Sequence, residues 1–375
     1  MKIPQFKINW SPADIAATAK VIKSGSYWTV GPNIKELEKR IANYTKRKYC
    51  LVFNSGTSAL HSILLAYGIG HDDEVIVPSF TFIATANAVI ACGAKVRFVD
   101  IEAKTLGLDP EQIEKNITKK TKAVIAVHFG GQPCQIEAIK RIADRFGILL
   151  IEDAAEAFGA KCKNKMAGSF ADSAIFSFCQ NKIITCGEGG AIVTDNRNLF
   201  DKLFLIRSHG RNEPDNHSPD LPIDYVMLGY NFRLSSLAAA LLLSQFQRVE
   251  KIISQRIRKA GYYLKKLKNI SQIKTIAAGK NSENVFQLFP ILASNRNELK
   301  DYLLSKGISS KIYFEPVHQS HFYRKILGYK IHLPTTEVIS KQIICLPIYP
   351  DIKHKEIDYI IKTIKDFYRY GKRKT

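Results

Sequence analysis

The chain has 375 residues, 46% of them hydrophobic, which is enough for a large core in two domains or in one large and one small. That composition excludes disorder, a collagen-like repeat and a disulfide scaffold, and no apolar run approaches the roughly 18–20 residues a membrane helix needs. The net charge of +21 fits nucleic acid, an anionic surface or an anionic small ligand. However, the lysines run along the whole chain, short clusters such as Lys372-Arg373-Lys374 aside, with no helix-turn-helix, zinc-finger or RNP pattern. Nucleic acid is therefore not an expected partner.

The start, MKIPQFKINWSPADIAATAK, has no continuous apolar stretch. No signal peptide is expected, and the cytoplasm is the expected compartment. From about residue 50 to 195 short β-rich runs alternate with helical patterns. The runs are Cys50–Asn54, Glu74–Pro78, Lys95–Asp100, Ala123–His128, Ile148–Asp153, Ala174–Phe178 and Ala191–Thr194. Most are continuous apolar stretches, as in strands buried on both faces, and Thr57–Tyr67 and Gln135–Phe146 read as intervening helices. The pattern predicts an α/β domain with a mainly parallel sheet. Leu234–Lys266 reads as one long helical stretch. Beyond it, Val285–Leu292 and Ser310–Tyr313 read as β, and Arg296–Lys306 and Lys355–Tyr368 as helices. The expected division is a large domain over 1–245, including an N-terminal arm, and a smaller C-terminal α+β domain over 246–375. Seven cysteines, an odd number without a CxxC pair, predict free thiols and no zinc site.

In an α/β sheet, ligands bind beyond the carboxyl ends of the strands, and three signals fall there. Asn54-Ser55-Gly56-Thr57-Ser58 follows a strand and opens a helix. It is either a phosphate cradle, with the helix N-terminus and hydroxyls as donors, or an ordinary N-cap. Glu152-Asp153-Ala154-Ala155-Glu156 ends an apolar strand in acids. A buried Asp153 needs a cation or a donor, or else it caps a helix. Ser177 and, after a short loop, Lys182 precede the glycine-rich Gly187-Glu188-Gly189-Gly190. A shielded lysine there is able to lose its proton and form a Schiff base. Together the three signals fit pyridoxal 5'-phosphate, which needs a lysine, an acid at its ring nitrogen and a phosphate cradle.

Five segments carry a resemblance. SGTSALH from Ser55, PSFTFIATANAV from Pro78, IEDAAEAFGA from Ile151, FSFCQNKIITCGEGGAIVTD from Phe176 and GYNFRLSSLAAALLLSQ from Gly229 resemble, in order, the DegT-type sugar-nucleotide aminotransferases. These are fold-type-I pyridoxal-phosphate enzymes, and the likeness runs from Trp28-Thr29-Val30-Gly31-Pro32 to Leu346-Pro347-Ile348-Tyr349-Pro350. The resemblance implies that Lys182 is catalytic, forming the Schiff base and carrying a proton between the substrate and the cofactor. It implies Asp153 at the pyridine nitrogen and Glu156, where many members have Gln, near the ring hydroxyl. Phe82 would stack on the ring, and Gly56, Thr57 and Ser177 would hold the phosphate. Asn231 would reach the phosphate of the neighbouring subunit, so that a homodimer shares its sites. Phe82 is otherwise plain core and Asn231 a turn residue. Trp28, Thr29 and His318 are expected at the substrate, with a structural role as the alternative for His318. His128 is read as structural, and Cys179 as packing near the lysine loop. The implied reaction moves an amino group from L-glutamate to a nucleotide-linked keto-sugar. Asn181–Thr185 and EDAAEA look most like the perosamine-synthase branch, which points to a 4-keto-6-deoxy sugar for a surface glycan or natural product. The alternatives are a C3-aminating relative, another fold-type-I enzyme such as a desulfurase, and a basic non-catalytic regulator.

Overall fold

The computed structural model describes residues 1–212, 224–276, 279 and 281–370. The cluster Lys372, Arg373 and Lys374 lies outside them. The apolar runs become a seven-stranded sheet. Its strands are β1 (Tyr49–Phe53), β2 (Glu74–Pro78), β3 (Lys95–Val99), β4 (Thr121–Val127), β5 (Leu149–Asp153), β6 (Ser173–Ser177) and β7 (Gly190–Thr194). The order is β1-β7-β6-β5-β4-β2-β3. The ladders among β2–β6 are parallel, and β7 runs antiparallel to both β1 and β6. β2 and β7 are buried along their whole length, because helices cover both faces of the sheet. The parallel strands therefore deliver Asn54, Ser79, His128, Asp153 and Ser177 to one edge.

The smaller region has its own antiparallel sheet of β8 (Ile273–Thr275), β9 (Phe289–Ala293) and β10 (Ile343–Leu346). The helices Val249–Leu267, Arg296–Ser305 and His354–Tyr370 pack on it and on one another. Its core joins Tyr263, Leu299, Ile344 and Ile360 with Ile3 of the N-terminal arm. Ile3 donates its N–H to Gly307 O at 2.8 Å and accepts from Ser309 N at 2.9 Å. The start of the arm thus packs on the smaller region, rather than on the large domain with which the sequence division had grouped it.

Three expectations change in the fold. The stretch Leu234–Lys266 is two helices, Ser236–Phe246 and Val249–Leu267, broken at Gln247-Arg248. Asp14 packs against the break: it is 4% exposed and accepts from Ser244 Oγ (2.6 Å), Gln245 Nε2 (2.8 Å) and Arg248 Nη2 (2.7 Å). In the second change, only Phe289–Leu292 of the run Val285–Leu292 is strand, which extends to Ala293; Ser310–Tyr313 gives a single bridge, from Lys311 to Cys345. The third concerns charge. Residues 246–375 hold 26 of the 55 Lys and Arg but only 10 of the 34 Asp and Glu, so they carry +16 of the net +21. Lysine and arginine do run along the whole chain, 29 of the 55 lying in residues 1–245, but most of the acids lie there too, so the net positive balance falls mainly in residues 246–375.

Candidate active site

The phosphate-cradle segment is a helix N-terminus closed from below by two strands. Ser55 caps Gly56–Ala66, accepting from Ser58 N at 3.0 Å, while Ser58 Oγ accepts from Ser55 N at 3.2 Å. The first N–H groups of the helix stay directed outward, toward an anion. β7 places Gly190 in register with both Phe53 and Ser177. A Cβ on Gly190 would lie 2.4 Å from Ser55 O and 2.7 Å from Gly56 N, so only glycine lets the helix start settle onto the sheet. A Cβ on Gly56 would lie 3.1 Å from Ser177 Cβ. Gly56, exposed Thr57 and Ser177 thus lie together at the helix start.

The lysine stands on the loop between β6 and β7, which is closed on itself. Lys182 N donates to Cys179 O at 3.0 Å, Cys186 N to Phe178 O at 3.2 Å, and Phe178 N to Gly189 O at 2.8 Å. Ile183 and Ile184 anchor the loop by burial. Lys182 Nζ lies 3.5 Å from Glu156 Oε1, and both side chains are largely buried. Glu156 is held by its other oxygen, which accepts from Gly130 N at 2.8 Å. Cys179 packs beside this loop, its Sγ 3.5 Å from Glu188 Oε1.

Asp153 ends β5, 5% exposed. It accepts from Thr85 Oγ1 at 2.8 Å and from Ala155 N at 3.2 Å, and Thr81 Oγ1 lies 2.9 Å behind Thr85. Burial holds its carboxyl above the usual range, although Thr85, Ala155 and the charge of Lys182 pull it down. Its sequence neighbour has the opposite character. Glu152 is fully buried and accepts from Gly168, Phe170 and Ala171 N–H at 2.7–2.9 Å and from His128 Nε2 at 2.9 Å. Burial alone would raise its pKa, but these donors outweigh burial and hold the carboxyl below its ordinary range. His128 Nδ1 accepts from Cys134 N at 3.1 Å, so its proton sits on Nε2, toward Glu152. His128 is structural, as expected.

Phe82, 58% exposed, borders a cleft of about 420 Å3 whose opposite wall is Phe314, Glu315, Pro316 and Gln319. Its exposure sets aside the plain-core alternative. His318 is 2% exposed: Ser79 Oγ lies 2.6 Å from its Nδ1 and Glu337 Oε1 3.4 Å from its Nε2. Both ring nitrogens are taken, which places His318 behind the cleft wall and not on it, in the structural role that was its alternative. Asn231 is exposed; its carbonyl accepts from Asn54 Nδ2 at 3.2 Å. Trp28 and Thr29 are also exposed, on the link between the first two helices, and among the described residues nothing joins them to Lys182. Thr85 and Gly130 belong to the site and were missed. Thr85 had a weak signal, lying one helical turn after Thr81, but Gly130 acts through its backbone and gave none.

The sequence profile described as the DegT/DnrJ/EryC1/StrS aminotransferase family matches residues 10–365. A GDP-perosamine synthase of Escherichia coli O157:H7 is 36% identical over 90% of this chain and 91% of its own. A pleiotropic regulatory protein of Geobacillus stearothermophilus is 36% identical over 93% of each. Among solved structures, S. venezuelae DesV in complex with a ketimine intermediate superposes with a TM-score of 0.91 at 31% identity, covering 98% of both chains.

Proposed function

This chain belongs to the DegT/DnrJ/EryC1/StrS aminotransferase family, and from that premise we propose that it transfers an amino group from L-glutamate to a nucleotide-linked 4-keto-6-deoxy sugar. It is a pyridoxal-phosphate-dependent sugar aminotransferase, and the finer reading concerns which sugar and which donor. The residues fit the cofactor on an observation of their own. Asp153 is a buried carboxylate whose two hydrogen-bond donors are neutral, and it calls for a cation such as a protonated ring nitrogen. When bound, pyridoxal phosphate supplies the electron-withdrawing ring that lets an amino group pass between two carbons. Asp153 keeps that ring nitrogen protonated. Thr85 orients Asp153, and the Ser55–Thr57 helix start with Ser177 binds the phosphate. Lys182 Nζ holds the cofactor and, when free, takes and returns a proton, with Glu156 beside it. Phe82 covers one ring face.

The observation that carries the reading is the convergence of Lys182, Glu156, Asp153 and the cradle at one sheet edge, beside a cleft with aromatic and polar walls. Phe82 and Phe314 suit the apolar face of a sugar, and Gln319 and Glu315 suit its hydroxyls. The 36% identity to a GDP-perosamine synthase supports a C4 amination. The equally similar relative named as a regulator weighs less, because the lysine, acids and cradle are all in place here. Asn231, exposed beside Asn54, is suited to reach a second copy, so the working form is a homodimer with shared sites. The expected compartment is the cytoplasm and the expected product a surface-glycan or natural-product sugar; among the described residues no helix is long and apolar enough to cross a membrane. The test is turnover of L-glutamate with a panel of 4-keto and 3-keto sugar nucleotides, the product position being read by NMR. Amination at C3 alone overturns the 4-keto reading, and no turnover with any of them overturns the substrate class.

A further inference from the structure

The stretch Asn284–Leu288 belongs to no strand, yet all five residues are buried. It enters the smaller region just before β9 and leans on the large sheet's edge. Val285 N donates to Gly131 O at 3.2 Å, and Leu288 N to Gly130 O at 3.1 Å. Gly130 is the residue whose N–H holds Glu156. Between these two anchors, Gln287 Nε2 donates to the carbonyl of Asn181, the residue before Lys182. One short stretch therefore fastens both members of the Lys182–Glu156 pair, one through Gly130 and the other through Asn181.

Two further features show that this contact is built in. Gly131 has φ +93, and a Cβ there would stand 2.9 Å from Gln287 N and 2.8 Å from Val285 Cγ2, so glycine is what lets the stretch approach. From the other side Arg256, 3% exposed, donates through Nη1 to the carbonyls of Phe286 (3.0 Å) and Gln287 (3.4 Å). Gln287 itself is 3% exposed, and its Oε1 has no hydrogen-bond partner among the described residues. Burying an unpaired amide oxygen is costly, and an apolar side chain of the same size avoids that cost. What the amide offers in return is its N–H on the lysine loop.

We infer that Gln287 is a positioning residue for Lys182: through Asn181 it fixes the lysine loop against Glu156 and couples that loop to the smaller region. The inference rests on the reading of Lys182 as the cofactor lysine, but its test does not require the cofactor. The full-length, cofactor-free chain is treated with acetic anhydride, and acetylation of Lys182 is read by peptide mass spectrometry against exposed Lys104. In Gln287→Leu the released loop should raise the relative rate about fivefold, the effect of losing one such hydrogen bond. The control is Gln132→Leu, which removes another buried amide near Gly131. Gln132 bonds Ser282 Oγ (2.9 Å) and Pro133 O (3.2 Å) and does not bond Asn181. It should lose melting temperature while Lys182 keeps the native rate. A native rate in Gln287→Leu overturns the inference, and so does an equal rise in both variants. Uptake of pyridoxal phosphate by the native chain is scored separately, so failure of the functional reading is visible as its own result.

Discussion

The Lys182 loop and the Phe314–Gln319 wall of the Phe82 cleft are built in opposite ways. The lysine loop closes through bonds among Phe178, Cys179, Cys186 and Gly189, all within a dozen residues and between two adjacent strands. The cleft wall Phe314–Gln319 and the helix behind it hang on distant side chains. Ser79 holds His318 across 239 residues, and Asp100 accepts from Thr335 N, Thr336 N and Thr336 Oγ1 at 2.7–2.9 Å. The Lys182 loop is thus closed mainly by local bonds, while the Phe314–Gln319 wall is tied to the ends of β2 and β3.

Four substitutions break or sharpen that contrast. The largest effect is expected from Lys182→Ala, which should cut turnover about 10^4-fold or more and leave the melting temperature near native. Initial rates and the visible absorbance of the bound cofactor check it, and residual turnover near the native rate would end the assignment. Next is Glu152→Leu, which strands the His128 N–H and three backbone N–H groups and should cost about 3–5 kcal/mol in urea unfolding. The pH dependence follows from the lowered carboxyl. The stabilisation is complete above the ordinary value of 4.5 and is lost as pH falls through the folded value, so the native chain should weaken in acid where the variant stays flatter. A native chain and variant that lose stability in parallel below 4.5 would remove Glu152 from that account. Gly190→Ala forces a methyl group against Ser55 O and should weaken cofactor binding about tenfold, at an overpacking cost of about 1–3 kcal/mol. An equilibrium titration with pyridoxal phosphate decides it, and unchanged affinity would mean that the cradle can rise. The smallest effect is expected from Thr336→Val, about 1 kcal/mol for one hydrogen bond to Asp100. It should raise KM for the sugar nucleotide severalfold and leave cofactor affinity alone; a matching loss of cofactor affinity would show that the two regions are not independent.

The parallel sheet was legible because its strands are continuous apolar runs, and Glu74–Pro78 stands where it was expected. That Gly56, Asp153, Ser177 and Lys182 stand near the carboxyl ends of strands was legible because each lies within a few residues of an apolar run. His318 was misplaced toward the substrate because a histidine's partners, here Ser79 and Glu337, are invisible in its own segment. The break at Gln247-Arg248 was missed because an Ala- and Leu-rich stretch reads as helix throughout, and the carboxylate that Arg248 bonds there, Asp14, is more than two hundred residues away.

By itself the sequence determined which segments are strands and which polar residues stand at their ends, since hydrophobic periodicity and turn residues act over a few positions. Only the tertiary structure decided that Glu152 supports the fold while Asp153 faces the site, that His318 backs a wall, and that Gln287 reaches Asn181. Those roles depend on burial and on hydrogen-bond partners far away in the chain, and such partners exist only once the chain has packed.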